Sequence, residues 1–340
     1  MVHELSDFLA RLVRREDLNR DEAFQLLEAL LDREATDAQI SGALVALAAK
    51  GETIEELTGM AEGLRSRAVR LVCKHDCFID TAGTGSSRAK TFNISTAAAF
   101  VIAGGGLPVA KHGNRAASSK SGSADLLTAL GVNVSAIPLA SENALNEIGI
   151  CFMFAPLYHG ATARVAGIRR QLGIHTTFNL LGPLSNPAGA PRQIIGVWRK
   201  DLVDKLASVL AALGTERSWV VHGEDGLDEI TLAGKTHVAE SENGTVRTFE
   251  IGPEDFGFEA RGLDHLRGGD TDANAEIVNA VLSGSRRDEA RALVIMNAAA
   301  ALFLGGAVAD LRQGAKLAAE AIDTGAAQRK LELLIEATVG

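Results

Sequence analysis

The sequence predicts an α/β protein. A small all-helical domain over residues 1–72 precedes a larger domain over 73–340, which has a mostly parallel central sheet flanked by helices. Three observations predict this. The first 70 residues repeat apolar side chains at helical spacing behind capping-box pairs. From residue 76 onward, short apolar runs alternate with helix-like stretches, the pattern of a parallel sheet. From 273 to the end the chain is Ala-rich and helical again.

Taken in order, Asn19 with Glu22 and Thr53 with Glu56 have the spacing of helix starts, in which each side chain satisfies the other's backbone N–H. Phe24, Leu27, Leu30 and Leu31 follow at helical period, then Ile40, Leu44 and Leu47, and Gly51 stands where a helix stop belongs. The strand candidates are 77–80 (CFID), 107–110 (LPVA), 151–154 (CFMF), 193–197 (QIIGV) and 218–223 (SWVVHG). Helical stretches over 94–103, 121–130 and 159–172 separate them, and 230–251 reads as an antiparallel extension of the sheet.

Composition excludes several classes. Hydrophobic residues make up 46% and charged residues 23%, an ordinary globular balance and not that of a disordered chain, a collagen or a disulfide scaffold. No apolar run reaches transmembrane length, and the amphipathic N-terminus lacks a signal core, so a cytoplasmic location is expected. Cys73, Cys77 and Cys151 read as free thiols, because further zinc ligands at suitable spacing are missing. A net charge of −9 argues against non-specific nucleic-acid binding. Stretches 81–124 and 148–200 hold eleven of the 34 Lys and Arg and none of the 43 acids. Such segments suit a cleft that focuses an anionic ligand; burial alone explains missing acids but not retained cations.

Four segments carry chemistry. Residues 80–96, DTAGTGSSRAKTFNIST, run from a strand end through a Gly-rich turn into a helix start. Gly83 and Gly85 permit close backbone approach, and a helix N-terminus offers unpaired N–H groups to phosphate. A plain tight turn has the same local pattern. Residues 111–125, KHGNRAASSKSGSAD, follow the next strand with Lys111, His112, Asn114, Arg115 and a run of serines. Two such loops at successive strand ends suit a ligand with two phosphate groups, and a solvated Ser-rich loop is the alternative. Residues 222–230, HGEDGLDEI, place Asp225, Asp228 and Glu229 on one turn, which suits Mg²⁺ beside phosphates or a solvated acidic turn. Residues 155–187 hold His159, Arg169, Arg170 and the turn GPLSNP. An arginine there could grip a carboxylate or belong to a surface face.

In this order, TFNIST, KHGNR with SSKSGSAD, HGATARVAGIRRQLG with FNLLGPLSNP, and DGLDE together resemble the anthranilate phosphoribosyltransferases over essentially the whole chain. Pyrimidine-nucleoside phosphorylases are similar at greater distance, and their lysine loop reads differently after Lys-His. Two departures stand out. Ser86-Ser87-Arg88 replaces the family's Gly-Asp-Gly, and Gly160 replaces its Pro. Arg88 could meet diphosphate directly in place of the missing acid and its metal, or point to solvent as loop arginines often do.

The resemblance further implies a cytoplasmic homodimer in which helices over 159–185 rejoin the helical domain. It implies phosphoribosyl diphosphate on Gly83, Ser86, Ser87, Thr91, Asn93, Ile94, Ser95, Thr96, Lys111, His112, Gly113, Asn114, Arg115, Ala116, Ala117, Ser118, Ser119 and Ser123. Anthranilate would meet Gly83, Asn114, Pro156, His159, Arg169 and Gly182. Mg²⁺, two ions per monomer, would lie on Ser95, Asp228 and Glu229. The implied reaction moves the phosphoribosyl group onto the amine of anthranilate and releases pyrophosphate, with no acid–base or nucleophilic residue assigned. The rivals are transfer to another aromatic or nucleobase acceptor, nucleoside phosphorolysis, and a non-catalytic protein that binds a phosphorylated ligand.

Overall fold

The computed structural model describes residues 5–85, 91–116, 121–263, 266 and 268–339. The chain opens with helices α1 (Leu5–Val13), α2 (Arg20–Leu31), α3 (Asp37–Lys50) and α4 (Ile54–Ser66). Local chemistry starts each of the last three. Asn19 Oδ1 accepts from Glu22 N at 3.0 Å while Glu22 Oε2 accepts from Asn19 N at 2.9 Å. Thr53 and Glu56 form the same reciprocal cap, as do Thr36 and Gln39, where Gln replaces the more conspicuous Glu. Gly51 ends α3 at a φ of 84°, which a side chain would resist.

The remainder alternates: β1 (Ile79–Gly83), α5 (Ile94–Gly104), β2 (Val109–Gly113), α6 (Ser123–Ala129), α7 (Pro138–Ile148), β3 (Ile150–Phe154), the short α8 (Ala155–Tyr158), α9 (Ala163–Leu172), α10 (Thr177–Leu184), β4 (Arg192–Gly196), α11 (Leu202–Ala212) and β5 (Arg217–Gly223). A hairpin of β6 (Thr236–Glu242) and β7 (Thr245–Ile251) follows, then α12 (Thr271–Leu282), α13 (Glu289–Leu304), α14 (Leu311–Asp323) and α15 (Ala326–Val339). The strands form one seven-stranded sheet in the order β3-β2-β1-β4-β5-β6-β7. The first five are parallel, and β6 and β7 extend the edge antiparallel, as the 230–251 pattern predicts.

Two expectations change. Residues 159–172 are not one helix: His159 stays outside with φ −121°, and a 3-10 turn at Gly160–Thr162 leads into α9. The His159 ring is drawn inward, where Nε2 donates to the Ser185 carbonyl at 3.0 Å. The GPLSNP segment is only half a turn, since Gly182, Pro183 and Leu184 complete α10.

Side chains alternate across the sheet and enter two cores. Ile194, Trp219 and Val221 join α5 and α13 on one face. Ile195, Val197 and Val220 join α11 on the other, together with α1–α4, Val165 and Ile168 of α9, and Phe178 and Leu181 of α10. No helix among the described residues is long and apolar enough to cross a membrane.

Candidate active site

Because β1, β2, β4 and β5 run parallel, the loops after them gather at one edge. From β1 the chain winds outward to β2 and β3, then returns to place β4 on the other side of β1. That reversal leaves a crevice beyond the carboxyl ends of β1 and β4, where open α/β sheets bind ligands. Gly83 and Gly196 are partners in register there. A Cβ on Gly196 would lie 1.7 Å from the Asp228 carbonyl oxygen, and one on Gly83 would lie 3.5 Å from Asp228 Oδ2. The acidic turn after β5 therefore rests on the mouth of the crevice. Thr84 lines the same point, with N and Oγ1 donating to the Gly196 carbonyl at 2.9 and 3.1 Å.

The three carboxylates of that turn separate by role. Asp225 staples it internally: Oδ1 accepts from Leu227 N at 3.2 Å and Oδ2 from the Thr231 hydroxyl at 2.8 Å. Asp228 faces Gly83, and Glu229 Oε1 accepts from the backbone N of Ser95, at the first turn of α5, at 3.1 Å. Burial pushes the Glu229 carboxyl up to about 8, and the Asp228 charge pushes the same way; the Lys111 charge and the Ser95 contact oppose them. Two adjacent, half-buried carboxylates fit a hard dication that takes its remaining oxygens from phosphate and water. No cluster of three or more His, Cys, Asp or Glu able to hold a metal occurs among the described residues. Among the described residues, the groups placed to meet a metal here are Asp228 and Glu229, with Ser95 beside Glu229.

Lys111 is buried in β2, and its ammonium donates to the Thr81 carbonyl. Burial lowers its affinity for a proton, while the Asp80 and Glu229 charges support the ammonium form. Asp80 is fully buried in β1, and its Oδ1 accepts from His112 N at 3.2 Å. Desolvation pushes its carboxyl up to about 6 despite Lys111. In the sequence Asp80 reads only as the end of an apolar run. A carboxylate inside an otherwise apolar strand run is the available signal.

Around β2 the loop ends are tied together. The Asn114 carbonyl accepts from Ala124 N at 3.2 Å and from the Ser123 hydroxyl at 3.4 Å. A Cβ on Gly113 would lie 2.2 Å from Ser123 Oγ. Asp125 binds Arg115 Nη1 at 2.9 Å, Ala116 N at 2.9 Å and Gly122 N at 3.0 Å. At the start of α5, Asn93 Nδ2 donates to the Ser121 carbonyl at 3.3 Å and Asn93 Oδ1 accepts from Asn274 of α12 at 3.4 Å. Thr91 packs its carbonyl against Gly268, where a Cβ would come within 2.3 Å. Ile94 and Thr96 are buried in α5. Asp125, Asn274 and Gly268 were not anticipated. Ser86, Ser87, Arg88, Ala117, Ser118 and Ser119 lie outside the described residues.

On the other side, His112 and His159 meet edge-on with ring centroids 5.1 Å apart. Burial, then the neighbouring His159, pushes the His112 imidazole down to about 3, although the Gly182 carbonyl opposes the shift. His112 therefore stays neutral at physiological pH. His112, His159, Gly182 and Ser185 thus converge from three separate elements. Gly182 itself faces open space, and Pro156 of α8 is exposed. The Arg pair divides: Arg170 is exposed, whereas Arg169 is half-buried over the Phe178 ring at 5.7 Å. Arg169 Nη2 donates to Asn179 Oδ1 at 3.0 Å, and its Nε is buried with no partner in the structure. A desolvated guanidinium with unused donors fits a carboxylate. Several cations of the acid-free stretches have a different use. Arg164 pairs with Asp37 and Arg192 with Glu216, each tying two separate segments together, and Arg199 pairs with Asp201 two residues along the chain.

The site thus combines a helical bundle, a parallel sheet, an acidic turn and a Gly-rich edge at the switch point, and the family models place that combination among the glycosyl transferases. The helical bundle domain of the glycosyl transferase family matches residues 6–68, and its a/b domain matches 75–328. An anthranilate phosphoribosyltransferase of Anaeromyxobacter dehalogenans (strain 2CP-C) is 52% identical over 330 residues, covering 97% of both chains. The crystal structure of anthranilate phosphoribosyltransferase from Thermus thermophilus superposes with a TM-score of 0.92 at 38% identity, covering 98% of this chain and 100% of that one. The Saccharomyces cerevisiae enzyme in complex with PRPP and Mg superposes with a TM-score of 0.90 at 28% identity, covering 98% of each. This chain belongs to the anthranilate phosphoribosyltransferase family.

Proposed function

We propose that this chain transfers the phosphoribosyl group from 5-phosphoribosyl 1-diphosphate to the amine of anthranilate, releasing pyrophosphate, in the tryptophan branch of aromatic amino-acid synthesis. The observation that carries this reading is the Asp228-Glu229 turn seated on Gly196 at the switch point, joined by Glu229 to the first turn of α5. The full-length kinship to enzymes of that name supports it.

In this reading the diphosphate lies along Gly83, Thr91, the α5 start Asn93–Thr96, the β2 end Lys111–Ala116, and Ser123. Helix N–H groups and the Lys111 charge meet its oxygens. Mg²⁺ is the cofactor of this reading, and the yeast complex supports the choice of metal. Its protein ligands are then Ser95, Asp228 and Glu229, with two ions per monomer. When bound, it neutralises the departing diphosphate. Anthranilate sits among Gly83, Asn114, Pro156, His159 and Gly182 with its carboxylate on Arg169. Neutral His112 adds no charge beside the amine. An aromatic amine is unprotonated at neutral pH, so its lone pair needs no strong base. Orientation of the two substrates contributes about 7–11 kcal/mol to lowering the barrier. No covalent enzyme intermediate is required.

The same reading divides the chain into a helical body (1–72, joined by helices over 159–185) and an α/β body (73–340); the two separate buried cores support that division, although the second core also takes in one sheet face. A cytoplasmic homodimer belongs to the same reading. The test is to mix phosphoribosyl diphosphate, anthranilate and Mg²⁺ and follow the loss of anthranilate fluorescence. One pyrophosphate should appear per anthranilate consumed, and chelation should stop the reaction. Asp228→Asn with Glu229→Gln should abolish turnover at millimolar Mg²⁺ and leave the circular dichroism spectrum unchanged. Near-normal activity of that variant would refute the metal assignment, and turnover with a nucleobase alone would refute the acceptor.

A further inference from the structure

The interior of α13 is a run of Leu, Val, Ile, Met and Ala broken by one amide, Asn297, which is 5% exposed. A polar side chain buried there must find its hydrogen bonds within the protein. Asn297 Oδ1 accepts from the backbone N of Ile230 at 3.0 Å. Its Nδ2 donates to the carbonyl of the same Ile230 at 3.0 Å and to the Leu293 carbonyl, one turn back in its own helix, at 2.9 Å. One side chain thus holds both polar groups of one peptide residue, as a neighbouring strand would.

That residue directly follows Asp228 and Glu229. On the sheet side, the Asp228 carbonyl is pressed against Gly196. On the helix side, Asn297 grips Ile230. The two carboxylates therefore hang between two backbone anchors. The chain beyond Ile230 adds a third tie, with Thr231 N donating to the Thr236 hydroxyl at 3.0 Å.

We propose that Asn297 is a positioning residue for the divalent-metal and diphosphate site, acting by clamping the Ile230 peptide so that Asp228 and Glu229 face the crevice. This rests on the proposed function, since it assigns the clamp to that reaction's metal site. Groups that orient metal ligands from behind characteristically govern affinity by about 10- to 100-fold.

A purely structural Asn297 would lower the melting temperature and leave the metal site as it was. The discriminating measurement is calorimetric titration with inorganic pyrophosphate at a series of MgCl₂ concentrations. Asn297→Ala and the nearly isosteric Asn297→Leu are compared with the parent enzyme at a temperature where each is folded. The Mg²⁺ needed for half-maximal pyrophosphate affinity should rise by about tenfold or more. The KM for anthranilate, measured at saturating Mg²⁺, should stay within about twofold, because Arg169 and His159 lie on other elements. Should neither variant fold, Asn297→Asp retains the acceptor for Ile230 N and is judged by the same titration. A lower melting temperature with unchanged Mg²⁺ dependence would overturn the proposal. If the parent enzyme itself neither binds pyrophosphate with Mg²⁺ nor turns over phosphoribosyl diphosphate, the underlying functional reading falls, and the clamp with it.

Discussion

Gly196 and Asp228 touch so closely that a methyl group on Gly196 would sit 1.7 Å from the Asp228 carbonyl oxygen. The contact is backbone against backbone, so no flexible side chain can swing aside. It brings the turn that carries the acids onto the end of the strand beside the Gly-rich loop.

Gly196→Ala is therefore expected to push the turn off the sheet. Overpacking of this kind costs about 1–3 kcal/mol of stability. Activity should fall much further than stability, since Asp228 and Glu229 move together with the turn. Steady-state turnover and thermal unfolding of the same preparation check this. A variant with parental kcat/KM would show that the turn position does not matter to the chemistry.

Arg169 and Arg170 are neighbours in sequence with opposite surroundings, one over Phe178 and the other in solvent. Arg169→Ala should raise the KM for anthranilate by the loss of a charge-assisted contact, about 1.5–3 kcal/mol. The KM for phosphoribosyl diphosphate should change little, and Arg170→Ala should change neither. Equal rises for both substrates would assign Arg169 to the fold or to the other ligand.

In the helical domain Lys50 is buried between Asp17, at 2.7 Å, and Glu56, at 2.8 Å, and Glu56 also accepts from the backbone N of Leu18 and Thr53. Burial works against the ammonium, yet the two carboxylates outweigh it and hold the Lys50 pKa above its ordinary 10.5. A raised lysine contributes stability fully at pH below its unfolded value, and that contribution is lost as pH rises through the folded value. Lys50→Met leaves buried Glu56 without its cation and should destabilise by about 3–5 kcal/mol. Adding Glu56→Gln should recover part of this. Urea unfolding at pH 8 and at strongly alkaline pH checks the sign: the parent should lose more stability on alkalinisation than Lys50→Met does. A larger alkaline loss in Lys50→Met would contradict the assignment.

How much of this was legible beforehand follows from the range of the forces involved. The caps at Asn19 and Thr53, the stop at Gly51, the strand runs and the antiparallel tail depend on neighbours a few residues apart, so the sequence alone determined them. The segments that make up the crevice were legible for the same reason, since strand, turn and helix start lie side by side in the chain. Which cations serve the crevice was not legible, because charge in a sequence has no address. Only folding paired Arg164 with Asp37 and Arg192 with Glu216 while leaving Arg169 half-buried over Phe178. Asp225 looked equivalent to Asp228 until the turn closed and Thr231 and Leu227 took its oxygens. Asn297 stands 67 residues from Ile230 in an Ala-rich helix, and nothing local marks it. Its meaning arises when α13 packs on the sheet and the desolvated amide must find a partner, a demand that burial creates and that only tertiary structure can impose.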